Sequence, residues 1–284
     1  MGNRRALTGL AAIGIAAISI TSACSSYSEA GAPADGGGGN EAAADGGVDA
    51  PAESSSSDGP PPVAYAEAVS ADAPMAWYRF AETTTAEAAK DSSGKGFDGF
   101  YVGDVGLGAD GPITGGHAAR FDGSNTAAVV VTRAELGFVG NTSFTVEAWI
   151  KPDKIDMGFQ LVASKLETTD PKPWFLSLQT NDGLDFGREA KYCVLGPHPS
   201  VVNGAWAHVV AIYDSMTGSQ LWVDGVRVKI CTDTITSLSS TAQPFNIGGA
   251  QGTGATFVGK IAEVAIYDRV LPADRIAEHH RAAK

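Results

Sequence analysis

From residue 76 onward the apolar residues come in short runs, several of them alternating with polar ones, and Gly, Pro and Asp break the runs. In residues 144–150 (FTVEAWI) one set of alternate positions is Phe, Val, Ala and Ile, and the other is Thr, Glu and Trp. A period of two predicts a strand with distinct faces. Residues 206–213 (WAHVVAIY) predict a second strand. Leu221-Trp222-Val223, Asp224-Gly225 and Val226-Arg227-Val228 predict a hairpin, because Asp-Gly suits a type I′ turn with φ > 0 twice. Further strands are predicted over 76–80, 118–122, 127–132, 160–165, 174–179, 184–188, 245–248 and 259–267. Only two helices are predicted, a short lead-in near 65–70 and a C-terminal one over 272–282, with Pro272 suited to a first turn. Many short strands with few helices predict an all-β antiparallel sandwich or barrel. Trp149, Trp206 and Trp222 are large enough to fill the space between two sheets about 10 Å apart. They are expected in that core rather than on a sugar-stacking platform.

The N-terminus has a different pattern. Arg4 and Arg5 precede a continuous apolar run over residues 6–20, followed by Thr21-Ser22-Ala23-Cys24. A spanning helix needs roughly 20 apolar residues. The shorter run, its basic front and its small-residue end are those of a cleaved signal. The stretch resembles a bacterial lipoprotein signal, with Cys24 as the lipidated first residue of the mature chain and Thr21 where such signals usually carry Leu. Cleavage after Ala23 without lipid, or an uncleaved anchor, are the alternatives. Ser25 after the Cys is similar to lipoproteins passed on to the outer membrane. The expected location is therefore exported and anchored there, facing the periplasm or the cell surface.

Residues 24–62 contain Glu29, Asp35, Glu41, Asp45, Asp49, Glu53 and Asp58, no Lys or Arg, and almost no large apolar residue. Such a stretch buries too little to offset its ordering entropy, so it is expected to be a disordered tether with a reach of roughly 35 Å. Residues 63–284 are then one globular domain. The chain has 20 basic and 32 acidic residues, a net charge of −12, and this acid excess argues against nucleic acid as a partner. With Cys24 set aside for lipid, Cys193 and Cys231 remain. An oxidising compartment favours a disulfide between them, and two separate buried thiols are the alternative.

The ordered motifs carry a resemblance. MAWYRFAE at 75–82, DSSGKGFDG at 91–99, FDGS at 121–124, FTVEAWIKP at 144–152, WAHVVAIYD at 206–214, LWVDG at 221–225 and GKIAEVAIYDRVL at 259–271 resemble, in order, the LamG-like (laminin G-like) jellyroll of the concanavalin A-like superfamily. The resemblance covers essentially all of residues 65–282. It implies two antiparallel sheets packed face to face, a jellyroll to which the pattern at 272–282 adds a short C-terminal helix. It also implies a structural calcium where the first and last strands meet, with Glu82 and Asp91 as candidate ligands. Ala262-Glu263 stands where the family often has Asp-Glu, which removes one ligand. No other cofactor is expected.

Related sandwiches include glucanases with a Glu-x-Asp-x-x-Glu strand, whose same-face carboxylates flank the scissile bond. Here Glu147 is followed two positions on by Trp149, Glu263 by Ala265, and no such motif exists. The five His form no metal-ligand spacing, and no GxSxG elbow is present. No catalytic residue is assigned. The expected function is a lipid-anchored, non-catalytic binding or adhesion module of the cell envelope, whose partner is a glycan or a surface protein. A structural envelope lipoprotein without a soluble ligand, or an unrecognised carbohydrate-active enzyme, are the alternatives.

Overall fold

The computed structural model describes residues 64–155, 158–166, 173–180, 183–189, 191–232, 238–250 and 253–284. The signal, Cys24 and the acidic tract lie outside the described residues. The chain enters through helix α1 (Tyr65–Ala71) and continues through β1 (Ala76–Tyr78), β2 (Ala88–Ala89), β3 (Gly99–Val102), β4 (Val105–Asp110), β5 (His117–Asp122) and β6 (Ala128–Val131). A 3₁₀ turn (Ala134–Gly137) leads to β7 (Phe144–Pro152), β8 (Gln160–Leu166), β9 (Pro173–Gln179), β10 (Gly183–Arg188) and β11 (Lys191–Val194). Then come β12 (Ala207–Asp214), β13 (Gly218–Val223), β14 (Val226–Cys231), β15 (Phe245–Ile247), β16 (Val258–Tyr267) and helix α2 (Ala273–Ala282).

The strands form two antiparallel sheets. The first has the order β14-β13-β12-β7-β16-β5-β4, with β1 also paired to β16; the second has the order β11-β10-β9-β8-β15-β6-β3-β2. This is the predicted two-sheet sandwich. Every predicted strand forms, with ends shifted by a residue or two except at 218–231, where the hairpin arms run several residues further than their cores. Its turn has φ of 51° at Asp224 and 78° at Gly225, as a type I′ turn requires.

Alternation explains the layers. In β7, Phe144, Val146, Ala148 and Ile150 point between the sheets. They meet residues such as Trp174 and Phe186 from the second sheet, with Phe144 and Trp174 ring centres 5.4 Å apart. The 3₁₀ turn is fixed to this core, because the Trp174 indole donates to the Leu136 carbonyl at 3.0 Å. The alternate set in β7, Thr145, Glu147 and Trp149, faces the other way and is buried too. Helices α1 and α2 cover that outer face of the first sheet, packing Tyr65, Val69 and Ile276 against Trp149, Trp222 and Tyr267.

This corrects one expectation. Trp149, Trp206 and Trp222 do not lie between the sheets but on the helix-covered face. Alternation fixes which residues share a face; the inner face is the one whose whole set is apolar, and Glu147 and Thr145 mark the Trp149 set as the other. At the sandwich edge Cys193 of β11 and Cys231 of β14 form a disulfide with Cα atoms 5.6 Å apart, so the expected pairing holds and ties one sheet to the other.

Candidate functional site

With one outer face of the sandwich covered by helices, the outer face of the second sheet is the remaining broad surface. Strand registers define a transverse row across it: Gly187, Phe175, Ser164, Asn246, Val130 and Phe100. Each of these residues except Phe100 is flanked by at least one inward-pointing core residue and is itself buried. A Cβ at Gly187 would lie 2.2 Å from the Phe175 ring, so the ring rests directly on that glycine and no larger residue fits. The middle of the face is partly roofed by Phe159, Ala250 and Ala255, which pack on Leu161, Leu166 and Phe175.

The row opens at its Phe100 end. A cavity of about 210 Å³ is lined by Phe100, Val130, Leu166, Gln243, Pro244, Asn246, Ala250 and Thr253. Phe100 is 48% exposed, an unusual state for a phenyl ring on a strand and a flat apolar floor for a ligand. The polar groups around it are uncharged. The Asn246 amide nitrogen donates to the Pro244 carbonyl at 3.0 Å, and the Thr253 hydroxyl donates to the Ala250 carbonyl at 2.7 Å. Those two bonds fix the side chains and leave the Asn246 amide oxygen and a Thr253 lone pair to accept from a ligand. An aromatic floor with orienting amides and a hydroxyl, and no charge, can bind a hydroxylated ring.

Deeper in the face, buried polar atoms lack partners. The Ser164 hydroxyl has none among the described residues, nor does one oxygen of Asp185. The other Asp185 oxygen accepts from the Gln179 amide at 2.9 Å. Burial pushes the Asp185 carboxyl up to about 6.

A larger cleft, about 650 Å³, lies among Ile155, Pro197, His198, Pro199, Val201, Val202 and Asn203. It offers little directed chemistry. The Asn203 side-chain oxygen accepts from the Ile155 N–H at 2.8 Å, and the His198 Nδ1 accepts from the Ser200 N–H at 3.3 Å.

Acids with catalytic-looking surroundings occur elsewhere. Glu147 is fully buried under the two helices. It accepts from His208 Nε2 at 2.8 Å, His279 Nδ1 at 3.0 Å, the Tyr267 hydroxyl at 3.1 Å and the Tyr65 hydroxyl at 3.4 Å. The other nitrogen of His279 faces Asp72 at 2.9 Å and the Ala68 carbonyl at 3.2 Å. Both ring nitrogens thus face only acceptors, so His279 carries both protons and is an imidazolium. Burial alone would raise the Glu147 pKa, but His279 and His208 overcome it and hold the carboxyl below its ordinary range. This set locks the helices to the sheet, with Glu147, His208 and His279 fully buried. Glu263 lies in a β-bulge of β16 with φ of 50°. It accepts from the Trp77 indole at 2.8 Å and Arg79 Nε at 3.2 Å, and burial pushes it up to about 7. It borders a cavity of about 150 Å³ with Arg79, Ala81, His117 and two glycines, and among the described residues no second carboxylate lines that cavity. A retaining glycosidase pair needs a partner roughly 5 Å away.

The calcium candidates are engaged by the chain itself. Glu82 accepts from the Lys90 N–H and the Tyr101 hydroxyl, each at 2.7 Å. Asp91 accepts from the N–H groups of Trp77, Ser93 and Phe97, each at 2.9 Å, and from the Ser93 hydroxyl at 2.8 Å. The two carboxylates organise the turn after β1, and among the described residues no group of three or more His, Cys, Asp or Glu is spaced to hold a metal. The sequence offered no motif for the Phe100 cavity. Its residues come from four separated segments, so no local pattern brings them together.

A family model described as the concanavalin A-like lectin/glucanases superfamily matches residues 121–277, more than half of the chain. No curated protein matches the sequence. Among solved structures, domain 4 of AbnA, an extracellular arabinanase of Geobacillus stearothermophilus in complex with arabinotriose, aligns with a TM-score of 0.56 at 19% identity, covering 74% of this chain and 98% of that one. The binding domain of botulinum neurotoxin DC, in complex with rat synaptotagmin II, aligns with a TM-score of 0.58 at 14% identity, covering 75% of this chain and 52% of that one. A structure of botulinum neurotoxin type C, which depends on interaction with two ganglioside molecules to enter cells, gives 0.59 at 15% identity, covering 76% and 52%. The chain spans about half the length of these toxin binding domains. At such identities the likeness is one of fold.

Proposed function

The chain belongs to the concanavalin A-like lectin/glucanases superfamily, and from that premise we propose that its sandwich is a non-catalytic glycan-binding module. We further propose that lipid on Cys24 holds it at the cell envelope, with the acidic tract as tether. The observation that carries the binding role is the cavity over Phe100, where a half-exposed ring is bordered by Gln243, Asn246 and Thr253 and, among the described residues, by no charged group. A sugar offers the matching chemistry: an apolar ring face to lie on the phenyl group and hydroxyls to meet the amides. The sugar- and protein-binding neighbours support the same class of role, since arabinotriose, gangliosides and synaptotagmin are what those related sandwich-containing proteins engage. The non-catalytic reading rests on the burial of Glu147 and on the cavity beside Glu263, whose described lining residues include no second carboxylate.

The test is a glycan array followed by titration calorimetry. Phe100→Ala is expected to weaken the best hit by about tenfold or more, the loss of an aromatic contact in a ligand pocket, while leaving the melting temperature near that of the parent. Asn246→Ala is expected to weaken it as well. Unchanged affinity in both variants would sink the assignment of this cavity, and an array without hits would favour a structural envelope role. Hydrolysis of a polysaccharide, abolished by a single carboxylate substitution, would overturn the non-catalytic reading.

A further inference from the structure

A second cavity, about 220 Å³, adjoins the Phe100 cavity, and the two share Gln243 and Pro244 as a common wall. Its chemistry is different. Lys165 and Arg133 line it together with Thr132, Ala134 and residues 241–244, and among the described residues no acid does. Lys165 is only 2% exposed, yet its ammonium donates a single bond, to the Arg133 carbonyl at 2.8 Å. An ammonium has three donors, so two are without a partner among the described residues, and no carboxylate there lies within ion-pair reach of it. The stem is held in place by the 3₁₀ turn: a Cβ at Gly137 would come within 3.1 Å of Lys165 Cε, so the glycine leaves room for the chain to pass. A buried charge without a counter-charge is costly, and the cost falls when an anion arrives. In keeping with this, burial lowers the Lys165 pKa, with Glu135 acting weakly the other way. Arg133 lies at the outer side, its guanidinium over the Phe97 ring at 5.2 Å and bonded to the Gly96 carbonyl at 2.9 Å.

We infer that the glycan is an acidic one, in which a neutral unit rests over Phe100 and the negative group of the adjoining unit is received by the Lys165 ammonium. The inference rests on the glycan-binding reading of the Phe100 cavity. It follows from the order of the two cavities, one uncharged and one cationic, meeting at Gln243–Pro244. The chain as a whole carries −12, so long-range attraction does not favour an anion; selectivity comes from the local buried cation.

The experiment compares oligosaccharides that alternate a uronate with a neutral sugar, each as the free acid and as the methyl ester, binding to the full chain by calorimetry. Esterification removes the charge and keeps the rings. The free acids are expected to bind about tenfold or more tighter than their esters, the usual worth of a hydrogen bond to a charged group. Lys165→Met is expected to bring the acid down to the affinity of the ester and to leave the ester unchanged. Equal affinity of acid and ester for the parent protein would overturn the inference while leaving the glycan reading intact, and this arm needs no variant to fold. An acid preference that survives in a folded Lys165→Met protein would remove Lys165 from the role. Binding of neither form would overturn the glycan reading and the inference with it.

Discussion

Replacing Glu147 by Gln is a near-isosteric change with a large expected cost. The side chain is fully buried and is the common acceptor for His208, His279, Tyr65 and Tyr267, at distances from 2.8 to 3.4 Å. Its charge balances the imidazolium of His279, whose other nitrogen is held by Asp72 at 2.9 Å. A glutamine amide at this position keeps one acceptor oxygen but turns two N–H donors toward groups that are themselves donors. Breaking one side of a buried ion pair costs about 3–5 kcal/mol, and about 4 is expected here. Against a typical total of about 5–15 kcal/mol this is a large fraction, and it corresponds to a fall of about 10 °C in melting temperature for a domain of this size. Urea unfolding followed by tryptophan fluorescence measures it, because Trp149 packs 5.0 Å from the His208 ring and reports on this layer. The slope with denaturant should be unchanged and the midpoint lowered. Adding His279→Gln should cost much less than the sum of the single changes, since both act on one pair. A loss under about 1 kcal/mol for Glu147→Gln would refute the view that this carboxylate fastens the helices to the sheet.

Further outcomes follow from the same structure. Asp185 and Glu263 are pushed up by burial to about 6 and about 7, so each prefers its protonated form in the fold, and the stability this supplies below their unfolded values is lost as pH rises through those folded values. His279 behaves alike: burial opposes its charge, but Glu147 and Asp72 prevail and raise its pKa, so its contribution fades at still higher pH. Glu147 is lowered and supplies stability that is lost only as pH falls below its ordinary 4.5. The melting temperature is therefore expected to peak near pH ~5 and decline toward pH ~8; a steady rise over that range would contradict the assignment. Removing the Cys193–Cys231 disulfide, which closes a separation of 38 residues, is expected to cost about 4 kcal/mol in denaturant unfolding. Excess EGTA or excess Ca²⁺ should leave the melting temperature in place, because Glu82 and Asp91 already accept from the chain's own donors. Cys24→Ala should release folded protein into the soluble fraction, and retention on salt-washed membranes would contradict the anchor.

The strands were legible because each is a short apolar run ended by a turn residue, as in 144–152 and at Asp224-Gly225. The strands not predicted, β2, β3, β4 and β11, are short, rich in Gly or at sheet edges, and so carry little period. The face of Trp149 is hard to read from the pattern because both faces of β7 are buried, one by a sheet and one by helices. Glu147, His208 and His279 meet across 61 and 132 residues of sequence, beyond any local spacing. The Phe100 cavity was hidden for the same reason, since strand register brings Phe100, Val130 and Asn246 side by side.

The most direct test of the central claim is hydrogen exchange read by mass spectrometry, with and without the tightest glycan found on the array. Protection is expected over residues 99–102 and 243–250, the floor and wall of the Phe100 cavity. Protection confined to residues 197–203, the larger cleft, or absent from the second sheet altogether, would contradict the account.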